Sequence, residues 1–374
     1  MKNLFFYGTM RHMPLLEIVL GGDTGHLGFE PATLAGFTVS GVAEGPFPMI
    51  ARDADGTARG LLARGLQPPD VARLDYYEGG FAYDLEEVTL ENGERAEVYV
   101  PQPDQWTADG PWSLEAWEAQ WGALSRFAAR EVMGYFGTRS REEVAAIYPR
   151  IRARAQAQVN AGAGQAEETR QGRIDIAERN RVYSRFFALD EMKLRYERFD
   201  GTMSQTVDRA VFVGTDAAIL LPYDPLRDRV LLIEQMRMGP LARGDSAVWQ
   251  LEPIAGGVDP GETAEQAAHR EAAEEARLKI DKLETVAKVY ASPGNATEFF
   301  HIFLGLADLP DGIAGIAGLD AENEDIRSHV MSFDDLIAMA DRDALANAPL
   351  VLAVNWLARH RDRLRSDRAG ATPE

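Results

Sequence analysis

The sequence predicts two domains in one chain, an α+β domain followed by an α/β domain. The 374 residues exceed the usual size of a single domain, and 45% of them are hydrophobic, enough to build two cores. Strand-like runs dominate residues 1–112, whereas strand-like and helical runs both occur in residues 176–365. A small, polar stretch at 160–172, NAGAGQAEETRQG, predicts a linker between the two domains.

The elements of the first domain follow from its apolar runs and turn residues. LFFYGT, ATLAGFTVSG and RGLLARGL are separated by glycine and proline, which is typical of strands. ENGE lies between the alternating runs EEVTL and RAEVYVP, and it predicts a hairpin turn. From residue 113 the apolar residues recur at helical spacing, so residues 113–175 are predicted to be a helical extension and the linker.

The second domain mixes both kinds of run. DRAVFVGTDAAILLPYD, DRVLLIEQMRM and EFFHIFLGLADL predict strands, and a helix is predicted between the second and third of them. The helical run SFDDLIAMADRDALANAPLVLAVNWLARHRDRL predicts helices at the end of the domain. The small, polar residues 366–374 predict a disordered tail.

Charge and cysteine content exclude several classes of protein. The net charge of −20 predicts no nucleic-acid partner and no anionic membrane surface, because both would be repelled. We find neither an apolar run of about 18 residues nor a signal peptide, so no membrane association is predicted. The absence of cysteine excludes disulfides and thiolate chemistry and fits a cytoplasmic location. Such an acidic chain needs a cation to bind an anionic substrate, which first indicates Mg²⁺.

The stretch GGVDPGETAEQAAHREAAEEARL, residues 256–278, carries the strongest chemical signal. Thr263 and Gln266 form a capping box, so a helix is predicted to begin near Ala264. Three glutamates at spacings of one to four residues share one helical face, where like charges repel. A bound divalent cation would remove this repulsion, and carboxylates with a backbone carbonyl are its preferred ligands. The alternative is a solvated acidic face without a metal.

The same stretch resembles the Nudix box, G-x5-E-x7-R-E-U-x-E-E-x-G-U, where U is aliphatic. The matching positions are Gly256, Glu262, Arg270, Glu271, Glu274, Glu275 and Leu278. Arg277 departs from the pattern, because it replaces the glycine that usually follows the helix. The flanking runs WQLEPIAGGVDPGE, ASPGNATEFF and GLDAENEDIRSHV extend the resemblance to the ADP-ribose pyrophosphatase subfamily over about 180–365. This resemblance implies an α/β/α sandwich with a mixed sheet.

The resemblance also implies which residues hold the metal and perform the chemistry. The implied ligands of Mg²⁺, or of Mn²⁺, are the Ala255 carbonyl, Glu271, Glu275 and Glu324. Glu274 would assist them, Arg270 would hold the carboxylates in place, and Glu322 would be the general base. The loop around Glu322 follows Gly318, so it could move to close over substrate, although an ordinary acidic surface loop is the alternative.

The implied substrate contacts lie outside the box. Arg237 would contact the diphosphate with help from Arg209, and Phe186 would stack on adenine. The ribose side would be lined by Ser292, Gly294 and Glu298. The subfamily forms homodimers, so the resemblance implies that Phe186 and Arg209 reach the site of the partner subunit.

The implied reaction is hydrolysis of ADP-ribose to AMP and ribose 5-phosphate. The nearest alternative is hydrolysis of another nucleoside diphosphate sugar, such as GDP-mannose. A second alternative, of a different class, is a non-catalytic ADP-ribose sensor whose effector is the N-terminal domain. The intact glutamates of the box favour an enzyme, because a sensor could lose them.

The N-terminal domain has a motif of its own. LFFYGTM is an apolar strand that ends in exposed backbone N–H groups able to bind a carboxylate, and Asp75 and Glu78 lie three apart beside aromatic residues that could raise the pKa of a carboxyl group. These features resemble the γ-glutamylcyclotransferase-like (AIG2-like) family, which implies a mixed β-barrel with helices. The implied binding loop is Tyr7, Gly8, Thr9 and Met10, and Glu78 is the implied acid and base. Leu85 replaces an arginine of that family, and Glu78 as a simple turn cap is the alternative.

Overall fold

The chain folds into two units, Met1–Arg170 and Gln171–Glu374. The computed structural model describes residues 1–22, 24–78, 83–162, 172–318 and 324–369. Most of the predicted linker at 160–172 therefore lies outside the described residues. Two α/β-containing units agree with the predicted fold class.

A six-stranded mixed sheet forms the frame of the N-terminal unit, in the order β4-β5-β1-β3-β2-β6. Its strands are β1 (Lys2–Phe6), β2 (Gly28–Val42), β3 (Gly45–Leu66), β4 (Tyr83–Thr89), β5 (Arg95–Pro101) and β6 (Ala108–Pro111). β1 pairs parallel to β5 and antiparallel to β3. The predicted ENGE hairpin is confirmed between β4 and β5, where Gly93 has a φ of 84°.

The N-terminal sheet is not the closed barrel that the resemblance implied. β4 and β6 are its two edges, and they are not paired with each other anywhere in the ranges that the structure describes. β6 contains only four residues, all exposed, and therefore offers little backbone for closure.

Helices cover one face of this sheet. They are α1 (Met13–Leu20), α2 (Pro68–Glu78), α3 (Leu114–Trp117), α4 (Ala123–Gly134) and α5 (Arg141–Gly162), with a π-helical segment at Glu118–Gly122. Ala128 of α4 and Ile151 of α5 are buried in the same core as Leu4 of β1 and Leu16 of α1. The helical segment predicted as an extension from residue 113 thus packs into the N-terminal unit.

The C-terminal unit is built on an eight-stranded mixed sheet and a separate sheet of three strands. The large sheet has the order β14-β15-β10-β11-β17-β16, with β12 paired to β11 and β13 to β10, and the small one has the order β7-β8-β9. The strands are β7 (Ile174–Ser184), β8 (Ala188–Tyr196), β9 (Val207–Val213), β10 (Asp216–Asp224), β11 (Arg229–Met236), β12 (Trp249–Glu252), β13 (Ile254–Gly257), β14 (Lys282–Tyr290), β15 (Phe299–Leu306), β16 (Ile316–Ala317) and β17 (Ile326–Ser332).

Helices cover both faces of the large sheet. These are α7 (Ala264–Ala276), α8 (Phe333–Asp341) and α9 (Ala348–Ala369), whereas the short α6 (Met238–Arg243) has no buried residue. Successive residues of β10 face opposite sides. Leu220 packs in the core that contains Ala268 of α7, whereas Leu221 packs with Phe333 of α8 and Val354 of α9. This arrangement is the expected α/β/α sandwich, and it explains why β10 is buried along most of its length and apolar between its two terminal aspartates, Asp216 and Asp224.

The end of the chain differs from the predicted disordered tail. α9 continues to Ala369, so the tail predicted from residue 366 is helical over its first four residues. Arg363 and Asp367 are one helical turn apart and form an ion pair at 3.6 Å, which supports this last part of the helix. No helix in the described ranges is both long enough and apolar enough to cross a membrane.

Candidate active sites

Helix α7 presents the acidic residues of the C-terminal unit from a fixed starting point. The predicted capping box is confirmed, because the Thr263 hydroxyl accepts from the Gln266 backbone N–H and the Gln266 side chain accepts from that of Thr263. The helix begins at Ala264, as predicted. Its alanines pack on the sheet, so the glutamates of the helix lie toward β13 and solvent.

Arg270 lies at the centre of these carboxylates. Its Nε and its second terminal nitrogen each donate to the Glu262 carboxylate at 3.0 Å. The other terminal nitrogen lies 2.5 Å from Glu271 and 3.0 Å from Glu274. A further N–H donates to the Gly257 carbonyl at 2.9 Å. One guanidinium therefore compensates the repulsion between neighbouring glutamates, while its role in holding the ligands of a metal stays a prediction.

Glu275 and Glu271 are the least exposed carboxylates of the group, Glu275 being buried and Glu271 half-buried. A Cβ at Gly256 would lie 1.8 Å from a Glu271 oxygen, so glycine is required for this approach. Glu275 is 2% exposed and accepts the Ala255 N–H at 3.1 Å. Burial raises the pKa of Glu271 to about 7 and that of Glu275 to about 8, and the charge of Glu324 adds to both. Burial and neighbouring carboxylates therefore disfavour the ionised forms of both groups.

Arg237 joins this charged group from the end of β11. Its Nε donates to the buried Glu252 at 2.7 Å, and Glu252 also accepts from the Asn347 side chain at 3.1 Å. The positive charge of Arg237 opposes the burial that raises the pKa of Glu275 and of Glu298. Arg237 therefore lies within electrostatic reach of both carboxylates.

The predicted ligand Glu324 is near this group, whereas the predicted base is not described. Glu324 packs against Gly318, which has a φ of 109° and whose added Cβ would lie 2.9 Å from the Glu324 Cβ. Glu322 lies in 319–323, outside the described residues. Its role as general base stays a prediction.

The predicted adenine and ribose residues lie on one connected surface. Phe186 is in the turn between β7 and β8, and its ring contacts Phe187, which in turn contacts Phe212. Phe212 exchanges backbone hydrogen bonds of 2.8 and 2.9 Å with the loop at 292–298. That loop carries Ser292, Gly294 and Glu298, and an added Cβ at Gly294 would meet open space.

Arg209 is a predicted substrate-binding residue that lies apart from the other predicted site residues. It lies exposed on β9 and donates to the carbonyl of Asp208 at 2.8 Å. Its neighbours across the sheet are Met192 and the other residues of a shallow groove, including Glu178 and Lys193. Its predicted action across a dimer is not tested by one chain.

The N-terminal unit contains a cavity of about 110 Å³ at the end of β1. The predicted binding loop, Tyr7, Gly8, Thr9 and Met10, lines it. An added Cβ at Gly8 would lie 2.8 Å from the Pro48 ring, so glycine allows the loop to lie against that proline. Thr9 and Met10 lie in a single 3-10 turn, Thr9–Arg11, directly after the glycine.

Glu78 faces the same cavity from the last position of α2. Burial among aromatic side chains raises the pKa of Glu78 to about 7. Burial also raises the pKa of Tyr7, which is hydrogen-bonded to Tyr83. Asp75, one turn before Glu78, accepts from the Tyr99 hydroxyl at 2.7 Å. Glu78 is therefore a carboxyl group of raised pKa that faces the cavity, and its role as acid and base stays a prediction.

Two family models match the chain, one in each unit. The model described as "NUDIX domain" covers residues 214–354, and the one described as "Gamma-glutamyl cyclotransferase, AIG2-like" covers residues 4–119. A protein of Escherichia coli (strain K12) named ADP-ribose pyrophosphatase is 39% identical over 194 residues, which cover 52% of this chain and 92% of that protein. The chain belongs to the Nudix family.

More distant relatives carry two different names. A Haemophilus influenzae protein named ADP-ribose pyrophosphatase is 34% identical, over 49% of this chain and 85% of that protein. A protein of Escherichia coli O9:H4 (strain HS) named GDP-mannose pyrophosphatase is 28% identical, over 46% of this chain and 88% of that protein. The chain is therefore a Nudix hydrolase, with Gln171–Glu374 as its Nudix unit and an AIG2-like N-terminal unit.

The donor atoms of the Nudix unit fit the divalent cation that this family generally uses. The two carboxylates of Glu271 and Glu275 and a backbone carbonyl are hard oxygen donors, and burial, which raises the pKa of both carboxyl groups, disfavours their charge in the absence of a cation. The described side chains do not form a finished metal cage of three or more acidic or histidine ligands.

Sequence reasoning missed several residues of both sites. Glu252, which holds Arg237, shows only as an acid in the apolar run before Gly256. Tyr148 and Arg152 line the N-terminal cavity from α5, where a spacing of four residues on one helix was the available signal.

Proposed function

We propose that the Nudix unit hydrolyses ADP-ribose to AMP and ribose 5-phosphate with Mg²⁺. The observation that carries the proposal is the group of carboxylates around Arg270, with Glu271 against Gly256 and Glu275 against Ala255. Relatives named ADP-ribose pyrophosphatase, 39% identical over nearly their whole length, supply the substrate. Water would attack one phosphorus, the bridging P–O bond would break, and the proton of the water would pass to a carboxylate.

Each residue then has a separate task. Glu271, Glu275, Glu324 and the Ala255 carbonyl would hold Mg²⁺ or Mn²⁺, which when bound supplies charge neutralisation to the diphosphate. Arg270 and Glu274 keep these carboxylates in place. Arg237, fixed by Glu252, would contact the diphosphate, and Glu322 would accept the proton of the attacking water.

The binding surface supports a nucleotide sugar as the substrate. Phe186 is 58% exposed, so its ring is available for stacking on a base. The adjoining loop with Ser292, Gly294 and Glu298 would line the ribose. We therefore assign the adenine end to the β7–β8 turn and the ribose end to this loop.

The test is AMP release from ADP-ribose by the full-length chain with Mg²⁺, alongside GDP-mannose, NADH and Ap4A. Preferential turnover of ADP-ribose would support the proposal. Preference for GDP-mannose would retain the Nudix chemistry and change the substrate, in line with the relatives of that name. Binding of ADP-ribose without turnover would favour the sensor function instead.

We also propose a homodimer formed by the Nudix unit. Ile174 pairs with Tyr196, and Ile176 pairs with Leu194, which pairs in turn with Val207. These five residues therefore share one face of the small sheet, and we call them the β7–β8 patch. Ile174 is 61% exposed and Ile176 is 57% exposed, so the patch presents apolar surface that a second copy could cover.

The surroundings of the protein are part of the same proposal. The net charge of −20 supports a protein without a nucleic-acid partner, and the absence of cysteine fits a cytoplasmic location. Fractionation of cells that produce the chain would test that location.

For the N-terminal unit we propose a γ-glutamyl cyclotransferase activity, favoured by Glu78 in the cavity beside the Tyr7–Met10 loop. The α-amine of a γ-glutamyl compound would attack its own γ-carbonyl carbon, forming the lactam C–N bond of 5-oxoproline. The bond to the amine leaving group would break. Glu78 would take the proton of the attacking amine and return it to the leaving amine. Release of 5-oxoproline from γ-glutamyl peptides, absent in Glu78→Gln, would test this activity.

A further inference from the structure

Part of the N-terminal cavity lies beyond the segment that the AIG2-like model matches. That model ends at residue 119, whereas Ser125 of α4 and both Tyr148 and Arg152 of α5 also line the cavity. Tyr148 and Arg152 are four residues apart, so they reach the cavity from adjacent turns of one helix face. The helices after the matched segment therefore complete this site.

Arg152 brings a positive charge to a cavity wall that is otherwise mostly apolar and aromatic, with Glu78 as its acid. It is the one lysine or arginine among the described residues that line the cavity. Its guanidinium lies over the Trp121 ring, 5.4 Å from the centroid, which orients the side chain without neutralising its charge. Within the ranges that the structure describes, no carboxylate forms an ion pair with it.

The positive charge of Arg152 acts on other residues that line the cavity. Burial raises the pKa values of Tyr77 and Tyr148, and the charge of Arg152 opposes that rise for both. Glu78 lines the same cavity, and its raised pKa is caused by burial. The cavity therefore has a proton-exchanging acid and a separate, unpaired cation.

We propose that Arg152 binds the carboxylate of a small amino-acid derivative in this cavity and thereby sets the substrate class of the N-terminal unit. A guanidinium matches a carboxylate with two parallel N–H donors, which a neutral amide cannot exploit equally. With the carboxylate at Arg152, the rest of the ligand extends toward Glu78 and the Tyr7–Met10 loop. The choice of a γ-glutamyl compound as ligand rests on the proposed cyclotransferase activity.

The experiment measures binding of 5-oxoproline and of its uncharged primary amide to the full-length chain by calorimetry. The wild-type chain should prefer the carboxylate. Arg152→Met, which keeps an apolar stem over Trp121, should weaken binding of 5-oxoproline by about 10- to 100-fold. Binding of the amide should change little, so the preference for the carboxylate should disappear. Arg152→Lys should restore part of it, because the charge returns without the planar fork.

Arg150→Met is the matched control, because Arg150 is an exposed arginine on the same helix that does not line the cavity. It should leave both affinities unchanged. Unaltered discrimination in Arg152→Met would overturn the inference, as would a wild-type chain that does not bind 5-oxoproline. Unfolding midpoints of the variants show whether a loss of binding comes from misfolding, and Arg152→Lys separates charge from packing.

Turnover distinguishes this inference from the activity on which it rests. Binding that depends on Arg152, without release of 5-oxoproline from any γ-glutamyl peptide, would leave the carboxylate site standing and reject the cyclotransferase. Release of 5-oxoproline at the same kcat/KM in wild-type and Arg152→Met would support the cyclotransferase and reject Arg152 as the carboxylate site.

Discussion

Arg270 makes the crowded acidic face of α7 compatible with a stable helix. Like charges three or four residues apart each cost about 0.2–0.5 kcal/mol on a helix. Arg270 contacts Glu271 and Glu274 of this face together with Glu262 of the preceding loop, and its planar fork of donors suits several carboxylates better than the single ammonium group of a lysine. Glu275 is not among its contacts and depends on the Ala255 N–H. The charge left over on Glu275 and Glu271 is what a cation can use.

The first prediction concerns Glu275. Glu275→Gln keeps the size of the side chain and removes the negative charge, so kcat for ADP-ribose should fall by at least about 100-fold because a metal ligand is lost. The fold should be retained, since the buried charge is also removed. Steady-state kinetics with Mg²⁺ and a thermal unfolding curve are the measurements.

Glu265→Gln is the control for this change. Glu265 is exposed in the first turn of the same helix, and its loss should leave kcat within about two-fold. Equal rates for wild-type and Glu275→Gln would remove Glu275 from the metal site.

The second prediction concerns the pH dependence caused by Glu78. Its pKa is raised to about 7 in the folded chain, whereas an unfolded glutamate titrates near about 4.3. Between these values the folded state keeps a proton that the unfolded state has lost, so stability falls as pH rises through this window. Glu78→Gln cannot ionise, so its advantage over wild-type should grow by up to about 1.4 kcal/mol per pH unit in the window.

Urea unfolding of both chains at several pH values between about 5 and 8 measures this difference. It should level off above about pH 7, where Glu78 is ionised in both states. Parallel pH profiles for wild-type and variant would show that the carboxyl group is not desolvated in the folded chain.

The sequence identified residues of the sites where chemistry and spacing coincide within one segment. The glutamates of α7, Gly256 and Arg270 all lie within 23 consecutive positions, 256–278. Sequence reasoning missed Glu252 and Arg152 because the residues with which they act are distant in sequence and are brought close only by the fold. The Nε of Arg237 meets Glu252 across the β11–β12 pair, and Arg152 reaches the cavity from α5, far along the chain from Tyr7.

At the scale of elements, the end of α7 shows a local conflict between sequence and geometry. Arg277 has a φ of 52°, in the left-handed region, and Leu278 N–H donates to the Ala272 carbonyl at 2.9 Å. Arg277 N–H also donates to the Ala273 carbonyl at 3.1 Å, as in the αL helix end, which usually has glycine at this position. Arg277 adopts the left-handed conformation although it is not glycine, because burial of Leu278 requires the chain to turn back at this point.

The third prediction follows from that strain. A non-glycine residue in the left-handed region costs about 1–2 kcal/mol, and glycine loses about 0.5–1 kcal/mol in chain entropy. Arg277→Gly should therefore stabilise the Nudix unit by about 0.5–1 kcal/mol in urea unfolding. Arg277→Ala keeps the Cβ and serves as the control, which should show no gain. An equal gain in both variants would assign the effect to the charge of Arg277 instead.

Long elements could be predicted better than short ones. The capped helix α7 and the β4–β5 hairpin carry their own start and turn signals, so both were placed correctly. The strands β12, β13 and β16 have two to four residues and exist because they pair with longer strands. Such pairings depend on the assembled sheet and leave no periodic pattern in the sequence.

At the scale of the molecule, each unit carries its own core and its own site. The N-terminal core includes the helices α4 and α5, so its cavity is finished by residues of the predicted extension. The open edge at β6 could not be predicted, because strand pairing between β4 and β6 is a property of the whole sheet. The length and composition predicted two units. The net charge of −20 would oppose association between copies of the chain.

The fourth prediction concerns association through the β7–β8 patch. Two copies with a charge of −20 repel each other, so a dimer must be held by apolar contact, and salt should strengthen it by screening. Ile176→Glu places a charge in the middle of the patch, where it would be buried without a partner. Light scattering after gel filtration should then show a monomer for the variant and a dimer for the wild-type chain.

Leu226→Glu separates the patch from apolar exposure in general. Leu226 is 60% exposed in the turn between β10 and β11, away from the small sheet, so this variant should remain dimeric. The prediction that Phe186 and Arg209 act in the site of the partner subunit adds a second measurement. Phe186 lies in a turn, and Arg209 on a strand, of the small sheet that carries the β7–β8 patch. If that prediction is correct, Ile176→Glu should raise KM for ADP-ribose together with the loss of the dimer, while Leu226→Glu leaves KM unchanged. A monomeric variant with an unchanged KM would place both residues outside the site of the partner.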